Sequence, residues 1–170
     1  MFRRLPSSAK KRLAKGERVI AWAPTTEDAQ APVVVTPLGV WLPGQPERIG
    51  WHQVHKATWS GNRLTVIPST KVADGEGYTV MADDAPLVVG LADPDNVPDE
   101  IRKRVTKSVG YTEHYPLPSG GVRVVGRRVP GVNGLTWHVR YDEGTDAADH
   151  EVVATTVALV AEAATPDDSL

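Results

Sequence analysis

Residues 33–43 read VVVTPLGVWLP and residues 47–68 read ERIGWHQVHKATWSGNRLTVIP. β-Branched and aromatic residues recur there in short runs, cut by Pro37-Leu38-Gly39 and by Ser60-Gly61-Asn62. Such runs between turn-forming residues read as antiparallel strands. The first predicts a hairpin from Val33–Thr36 to Val40–Leu42, with Pro37 presetting φ and Gly39 in the left-handed position of a bulged loop. Ile49 and Trp51 then share a face, but the next apolar residues are Val54, Ala57 and Trp59. A one-residue slip would turn a strand's core side chains outward. A bulge or single helical turn is therefore expected around His52–Val54, followed by strands over His55–Trp59 and Arg63–Ile67.

Upstream, Glu17–Ala23 alternates and predicts a first strand. Downstream, Val72–Gly77 reads as a polar loop, and Tyr78–Ala82 and Leu87–Leu91 as a strand pair about Asp83-Asp84-Ala85-Pro86. Evenly spaced short strands of this kind suggest a sandwich or barrel. The pattern changes at Asp93. Val97, Ile101, Val105 and Val109 recur every four residues and predict an amphipathic helix over 97–109, capped by Asp95 or Asn96 and ended by Gly110. Strands are expected over Tyr111–Leu117, Val122–Val129 and Leu135–Tyr141, the last with Leu135, Trp137, Val139 and Tyr141 inward. Asp146 is expected to cap a closing helix over Ala148–Ala164 with a stripe of Val153, Val157 and Val160. The organisation is thus a basic arm (1–16), a β domain with its capping helix (17–110), a β-β-β-α extension (111–165) and a disordered tail (166–170).

The chain has 170 residues and no cysteine, which excludes disulfides, thiolate metal sites and cysteine nucleophiles. No apolar run is long enough for a membrane span, and the basic N-terminal stretch lacks the apolar centre of a secretory signal; a cytoplasmic protein is expected. The net charge of −2 hides a polarity. Residues 1–18 carry seven Lys and Arg against Glu17, whereas from Asp142 onward there are eight acids and no Lys or Arg.

Antiparallel strands followed by one amphipathic helix follow the order of a pleckstrin-homology (PH) fold. Leu38-Gly39-Val40-Trp41 after a turn, and Arg48-Ile49-Gly50-Trp51 leading to Val54 and Ala57-Thr58-Trp59, resemble bacterial PH-like domains over about Glu17 to Val109. The whole layout also resembles that of conserved, uncharacterised bacterial proteins. The resemblance implies an α+β fold: a PH-like bent antiparallel β-sandwich or barrel capped by a helix, then a small three-stranded antiparallel sheet and a C-terminal helix. Lipid-binding PH domains hold inositol phosphates with Lys and Arg of the first strands. Here Ile20–Val40 has none and carries Glu27 and Asp28. From Val97 the order helix, three strands, helix is also that of double-stranded-RNA-binding domains, but the second helix opens on Asp146, Asp149 and Glu151, which repel phosphate.

His52 and His55 form an H-x-x-H pair, with Glu47 and His114 as the only further ligand candidates. No H-E-x-x-H, G-x-S-x-G, P-loop or dinucleotide fingerprint occurs. No catalytic residue, cofactor or metal is therefore assigned, and the expected protein is a non-enzymatic binding or adaptor module for a protein or peptide, with an exposed strand edge as the candidate place of contact. One alternative is a binder of anionic surfaces, nucleic acid or membrane, through Arg3, Arg4, Lys10, Lys11, Arg12 and Lys15 of the arm and a sheet face formed by Arg123, Arg127, His138 and Arg140, with Lys103 and Lys107 nearby. Another is a small-molecule enzyme with an unrecognised site. The oligomeric state is left open.

Overall fold

In the computed structural model, which describes residues 4–165, the Val33–Pro68 stretch folds as strands and tight turns. The elements in chain order are α1 (Ser7–Lys10), β1 (Ala21–Ala23), β2 (Val33–Thr36), β3 (Gly39–Trp41), β4 (Ile49–Gly50), β5 (Val54–Ser60), β6 (Arg63–Gly75), β7 (Tyr78–Asp83) and β8 (Leu87–Gly90). They continue with α2 (Val97–Ser108), β9 (Val109–Leu117), β10 (Gly120–Arg127), β11 (Thr136–Tyr141) and α3 (His150–Ala164). The fold is mixed α+β and mostly sheet. The chain divides into two compact units, Met1–Pro68 with Asp84–Lys107, and Ser69–Asp83 with Ser108–Leu170. This differs from a boundary at residue 110, because the hairpin Ser69–Asp83 is grouped with the C-terminal strands.

In the first unit β1, β2, β3 and β4 form an antiparallel sheet in that order. Val33, Val34 and Val35 are all buried, so the sheet is covered on both faces. On one face Val33, Val35, Val40 and Leu42 join Trp51, Val54, Leu64, Val66, Val97 and Ile101 in the main core. On the other, Val34 and Trp41 pack with Ala9, supported by Leu5, Leu13 and Trp22. A strand buried on both faces needs a continuous apolar run rather than alternation, and Val33–Val35 supplies one.

The expected slip is a single 3₁₀ turn at Trp51–Gln53, followed by a register shift between Val54 and Lys56. Trp51 is thereby buried, with its Nε1–H donated to the Thr36 carbonyl at 2.9 Å. The Thr36 turn differs from expectation. Thr36 pairs directly with Gly39, so Pro37-Leu38 is a two-residue loop, and Gly39 is not among the positive-φ residues. Glycine is required there for space: a Cβ would lie 2.2 Å from the Ile49 carbonyl oxygen.

Pro68 does not end its strand. β6 runs 13 residues, pairing with β8 over Arg63–Val66 and with β7 over Ser69–Gly75. Proline breaks a strand where its missing N–H is needed; Pro68 falls between those two pairings, and its carbonyl accepts Asp84 N–H at 2.8 Å. Of the expected loop at Val72–Gly77, Val72–Gly75 is strand with a bulge at exposed Val72, and only Glu76-Gly77 forms the turn. β7 and β8 both pair with β6 rather than with each other. α2 closes the first unit's core with buried Val97 and Ile101 and half-buried Val105; Val109 and Gly110 already belong to β9.

In the second unit the sheet runs β6, β7, β11, β10, β9, with β11 parallel to β7 and the other pairs antiparallel. The tail strands are thus part of a larger mixed sheet rather than a separate three-stranded one. Val122, Val124 and Val139 form its core with Tyr78, Leu117, Val152 and Val160, flanked by Trp137 and Tyr141 as the alternation of β11 predicts. Gly126 lies opposite Trp137; a Cβ there would sit 3.2 Å from the indole.

α3 departs from its expected stripe and cap. Asp149, not Asp146, is the cap, its Oδ1 accepting from Glu151 N–H (2.9 Å) and Val152 N–H (3.3 Å). Val152, Thr156 and Val160 are buried, whereas Val153 is 38% exposed. The buried polar member is satisfied: Thr156 Oγ1 donates to Val152 O at 2.7 Å and lies 2.8 Å from Tyr141 Oη.

Candidate functional site

The strands β10 and β11 carry the four sheet residues singled out from the sequence, Arg123, Arg127, His138 and Arg140. Val122 and Val124 point to the core, so Arg123, Val125 and Arg127 point to the opposite face. Register sets Arg123 opposite both His114 and Arg140, Val125 opposite His138, and Arg127 opposite Thr136. Arg123, Arg127, His138 and Arg140 therefore share one face.

Their surroundings differ. Arg127 is buried at 6% exposure and donates to Ser108 Oγ at 2.7 Å; burial pulls its pKa below the usual guanidinium range. Arg140 is half-buried, pairs with Asp83 and donates to Ser69 Oγ at 2.8 Å, and burial pulls its pKa down too. Both are held in internal contacts. His138 is half-buried, and Arg123 is exposed. Arg128 is also exposed, as the break in alternation at Arg127-Arg128 implies.

Among the described residues of the N-terminal arm only a short segment is helical. α1 is four residues long, follows Pro6 and has no side-chain cap. Arg3 lies outside the described residues. Arg4, Lys10, Lys11 and Lys15 are exposed. Arg12 instead donates to the carbonyls of Leu42 and Gln45, and its guanidinium stands 4.9 Å from the centre of the Trp41 ring. Arg48 approaches the same ring at 5.5 Å. Glu17 joins these groups. Its side chain is fully buried and accepts from Arg48 Nη1 (2.9 Å), Thr36 Oγ1 (2.7 Å), Trp41 Nε1 (3.1 Å) and Ala14 N–H (2.9 Å). Burial pushes the Glu17 pKa up, but these hydrogen bonds and the Arg48 charge outweigh it and leave it lowered. A cavity of about 210 Å³ lies beside this cluster, lined in part by Ser8, Arg12, Pro32, Trp41 and Pro43.

The feature that sequence reasoning did not place is the free margin of β9. This nine-residue strand is last in its sheet, and among the described residues no strand pairs with its outer side. The direction of its backbone groups follows from one bond. Asp142 N–H bonds Gly121 O at 2.9 Å, so Gly121, Arg123 and Val125 turn their N–H and C=O groups toward β11. Val122, Val124 and Gly126 then serve β9 at Tyr115, Glu113 and Tyr111. Thr112 and His114 consequently aim both backbone groups away from the sheet.

The two faces of this margin differ. On the core face Tyr111 and Tyr115 are half-buried with hydroxyls 2.6 Å apart, and Tyr111 meets the Trp137 ring edge-on at 5.4 Å. The Tyr115 hydrogen bond, then burial, raises the Tyr111 pKa above the ordinary phenol range. On the opposite face His114 Nε2 and Asp142 Oδ2 are 2.8 Å apart, and Arg123 donates to Thr112 Oγ1 at 3.1 Å.

His52 lies in the 3₁₀ turn and His55 in β5, and no cluster of three or more His, Asp or Glu suited to a metal occurs among the described residues. No described helix is long and apolar enough to cross a membrane. Comparison with known proteins finds no matching family model, no matching curated protein and no matching solved structure.

Proposed function

We propose that this chain is a non-catalytic binding module that takes up an extended segment of a protein or peptide partner along the outer margin of β9. The observation that carries the reading is the outward direction of the Thr112 and His114 backbone groups on a nine-residue terminal strand. Such a row of unused donors and acceptors is a template for one more strand. The half-buried Tyr111 and Tyr115 beside it offer aromatic surface to the newcomer's side chains. A PH-like architecture for the first part of the chain belongs to the same reading. Its support is the succession of antiparallel strands followed by α2, whose Val97 and Ile101 enter the core of the first unit.

The test is selection from a displayed-peptide library, followed by residue-resolved amide hydrogen exchange with the selected peptides. Binding should slow exchange at Thr112 and His114, while Tyr111, Glu113 and Tyr115, already bonded to β10, change little. Thr112→Pro removes an outward N–H without touching the ladder, and should weaken those peptides about tenfold, which is about 1.4 kcal/mol. Selected peptides that protect residues elsewhere and leave Thr112 and His114 unchanged would overturn the reading.

A second reading rests on the exposed Arg4, Lys10, Lys11 and Lys15 of the arm, a basic cluster suited to nucleic acid or anionic membrane. Its affinity must fall steeply with salt, and binding to anionic vesicles or RNA that is indifferent to salt would remove it.

A further inference from the structure

The cavity beside Trp41 belongs to the first unit, and its walls are of two kinds. Pro32, Val34, Trp41 and Pro43 give it apolar surface, while Ser8 and Arg12 bring a hydroxyl and a guanidinium to it. The Ser8 hydroxyl donates to the Gln30 carbonyl at 3.1 Å, and the Trp41 indole N–H donates to Glu17 at 3.1 Å. The indole therefore presents carbon surface rather than a donor. Arg12 differs. It donates to the carbonyls of Leu42 and Gln45, both neutral acceptors, and a guanidinium has five N–H groups to give. Among the described residues no Asp or Glu lines the cavity or pairs with Arg12. Glu17, on the same indole, takes Arg48 as its ion-pair partner. The Arg12 and Arg48 guanidiniums stand 4.9 and 5.5 Å from the centre of the Trp41 ring, so two cations there face one carboxylate.

We infer that this cavity binds a small organic carboxylate with a flat apolar body, its carboxylate on Arg12 and its ring against Trp41 and the two prolines. The size agrees: the cavity measures about 210 Å³, and about 150 Å³ is enough to hold benzene in a protein interior. Guanidinium and carboxylate match as planar forks, and their charge-assisted hydrogen bonds are about twice as strong as neutral ones. A ring beside the indole gains from offset or edge-on contact. A bare inorganic anion would leave the indole and proline walls unused. A neutral ring would leave Arg12 without a counter-charge, and a cation would be repelled by Arg12 and Arg48.

The probes are phenylacetate, its neutral isostere phenylacetamide, acetate, which lacks the ring, and acetyl-glycyl-phenylalanine, which offers the same chemistry as a chain terminus. Each is titrated against the whole protein by calorimetry and by the indole N–H resonance of Trp41 in proton–nitrogen correlation spectra. Phenylacetate should bind at about 1 mM or tighter, about tenfold more tightly than either the amide or acetate, and should shift the Trp41 resonance. Arg12→Gln keeps a donor for the carbonyls and should erase the preference for acid over amide, with urea unfolding as the check on the fold. Ser8→Phe, at an exposed position away from the guanidinium, places a ring in the same space and should abolish binding; it decides the matter if Arg12→Gln does not fold. Equal affinities for acid and amide, or an acid preference that survives Arg12→Gln, would overturn the carboxylate. Acetate as tight as phenylacetate would overturn the flat apolar body. Tighter binding of acetyl-glycyl-phenylalanine than of phenylacetate would overturn a free small acid as the source and leave the site standing. A Trp41 resonance unmoved at ten times the expected dissociation constant, or moved equally in Ser8→Phe, would overturn the site.

Discussion

Replacing Glu17 by Gln tests the most concentrated set of interactions in the first unit. The carboxylate is fully buried and takes four donors, one of them the Arg48 guanidinium. The substituted side chain would keep the shape but lose the charge, and its amide NH₂ would face groups that are themselves donors. Hydrogen bonds to a charged group contribute about 1.5–3 kcal/mol each, and a stranded donor costs about 1–3 kcal/mol. Allowing for relaxation of Arg48, which is 28% exposed, the expected loss is about 3 kcal/mol at pH 7. The pH dependence supplies an internal check. The folded pKa lies below the ordinary value of 4.5, so the unfolded chain binds the proton more tightly. Glu17 therefore contributes its full stability above the unfolded pKa, and that contribution is lost as pH falls through the folded pKa. Urea unfolding of both proteins between pH 7 and pH 3 should show a gap that narrows on the acid side, because a protonated carboxyl resembles the amide. A gap under about 0.5 kcal/mol at pH 7, or one constant across the range, would refute the assignment of Glu17 as a charged, buried acceptor.

Other substitutions address the remaining cores. Gly39→Ala should destabilise by more than about 2 kcal/mol, since its Cβ meets backbone 2.2 Å away; Gly61→Ala, at φ +63° with open space around it, should cost only about 1 kcal/mol, and thermal melts compare the two. Val152→Ala should cost about 2 kcal/mol and Val153→Ala almost nothing, which denaturant titration would show; equal effects would restore the Val153 stripe. Tyr111 should ionise later than an ordinary phenol, so ultraviolet titration of Tyr111→Phe should lose a late-titrating component. The linked stability is present below about pH 10 and is lost as pH rises through the raised pKa of the folded state.

Local chemistry was legible where a short stretch decides it. The slip between Trp51 and Trp59 required a turn, and one exists at Trp51–Gln53. The alternation of β11 assigned Trp137, Val139 and Tyr141 to one face, and the same alternation put Arg123, Arg127, His138 and Arg140 on a common opposite face. What escaped depends on distant partners. Pro68 reads as a terminator until β6 is seen to change partners beside it. Val153-Val157-Val160 is a better apolar stripe than Val152-Thr156-Val160, yet the latter is buried because Tyr141 satisfies the Thr156 hydroxyl. Arg127 and Arg140 read as surface cations until Ser108, Ser69 and Asp83 close on them. The edge of β9 was invisible for another reason: a free margin is the absence of a neighbour, and no residue encodes that.

The passage of the chain through β6 bears on the order in which the protein takes shape during synthesis. Every residue of the first unit has been made once Lys107 is in place. The hairpin of β6 and β7 precedes it, yet β7 pairs in parallel with β11, joining residues 79 and 138. Through that interval the nascent hairpin carries Tyr78 and Val80 without the strand and helix that bury them. Long-range parallel pairing of this kind is slow and leaves an open strand that invites other chains. A truncated product ending at Lys107 should therefore self-associate through β7, and sedimentation of that fragment against the full chain would show it. The C-terminal strands then act as the element that withdraws this hairpin from circulation.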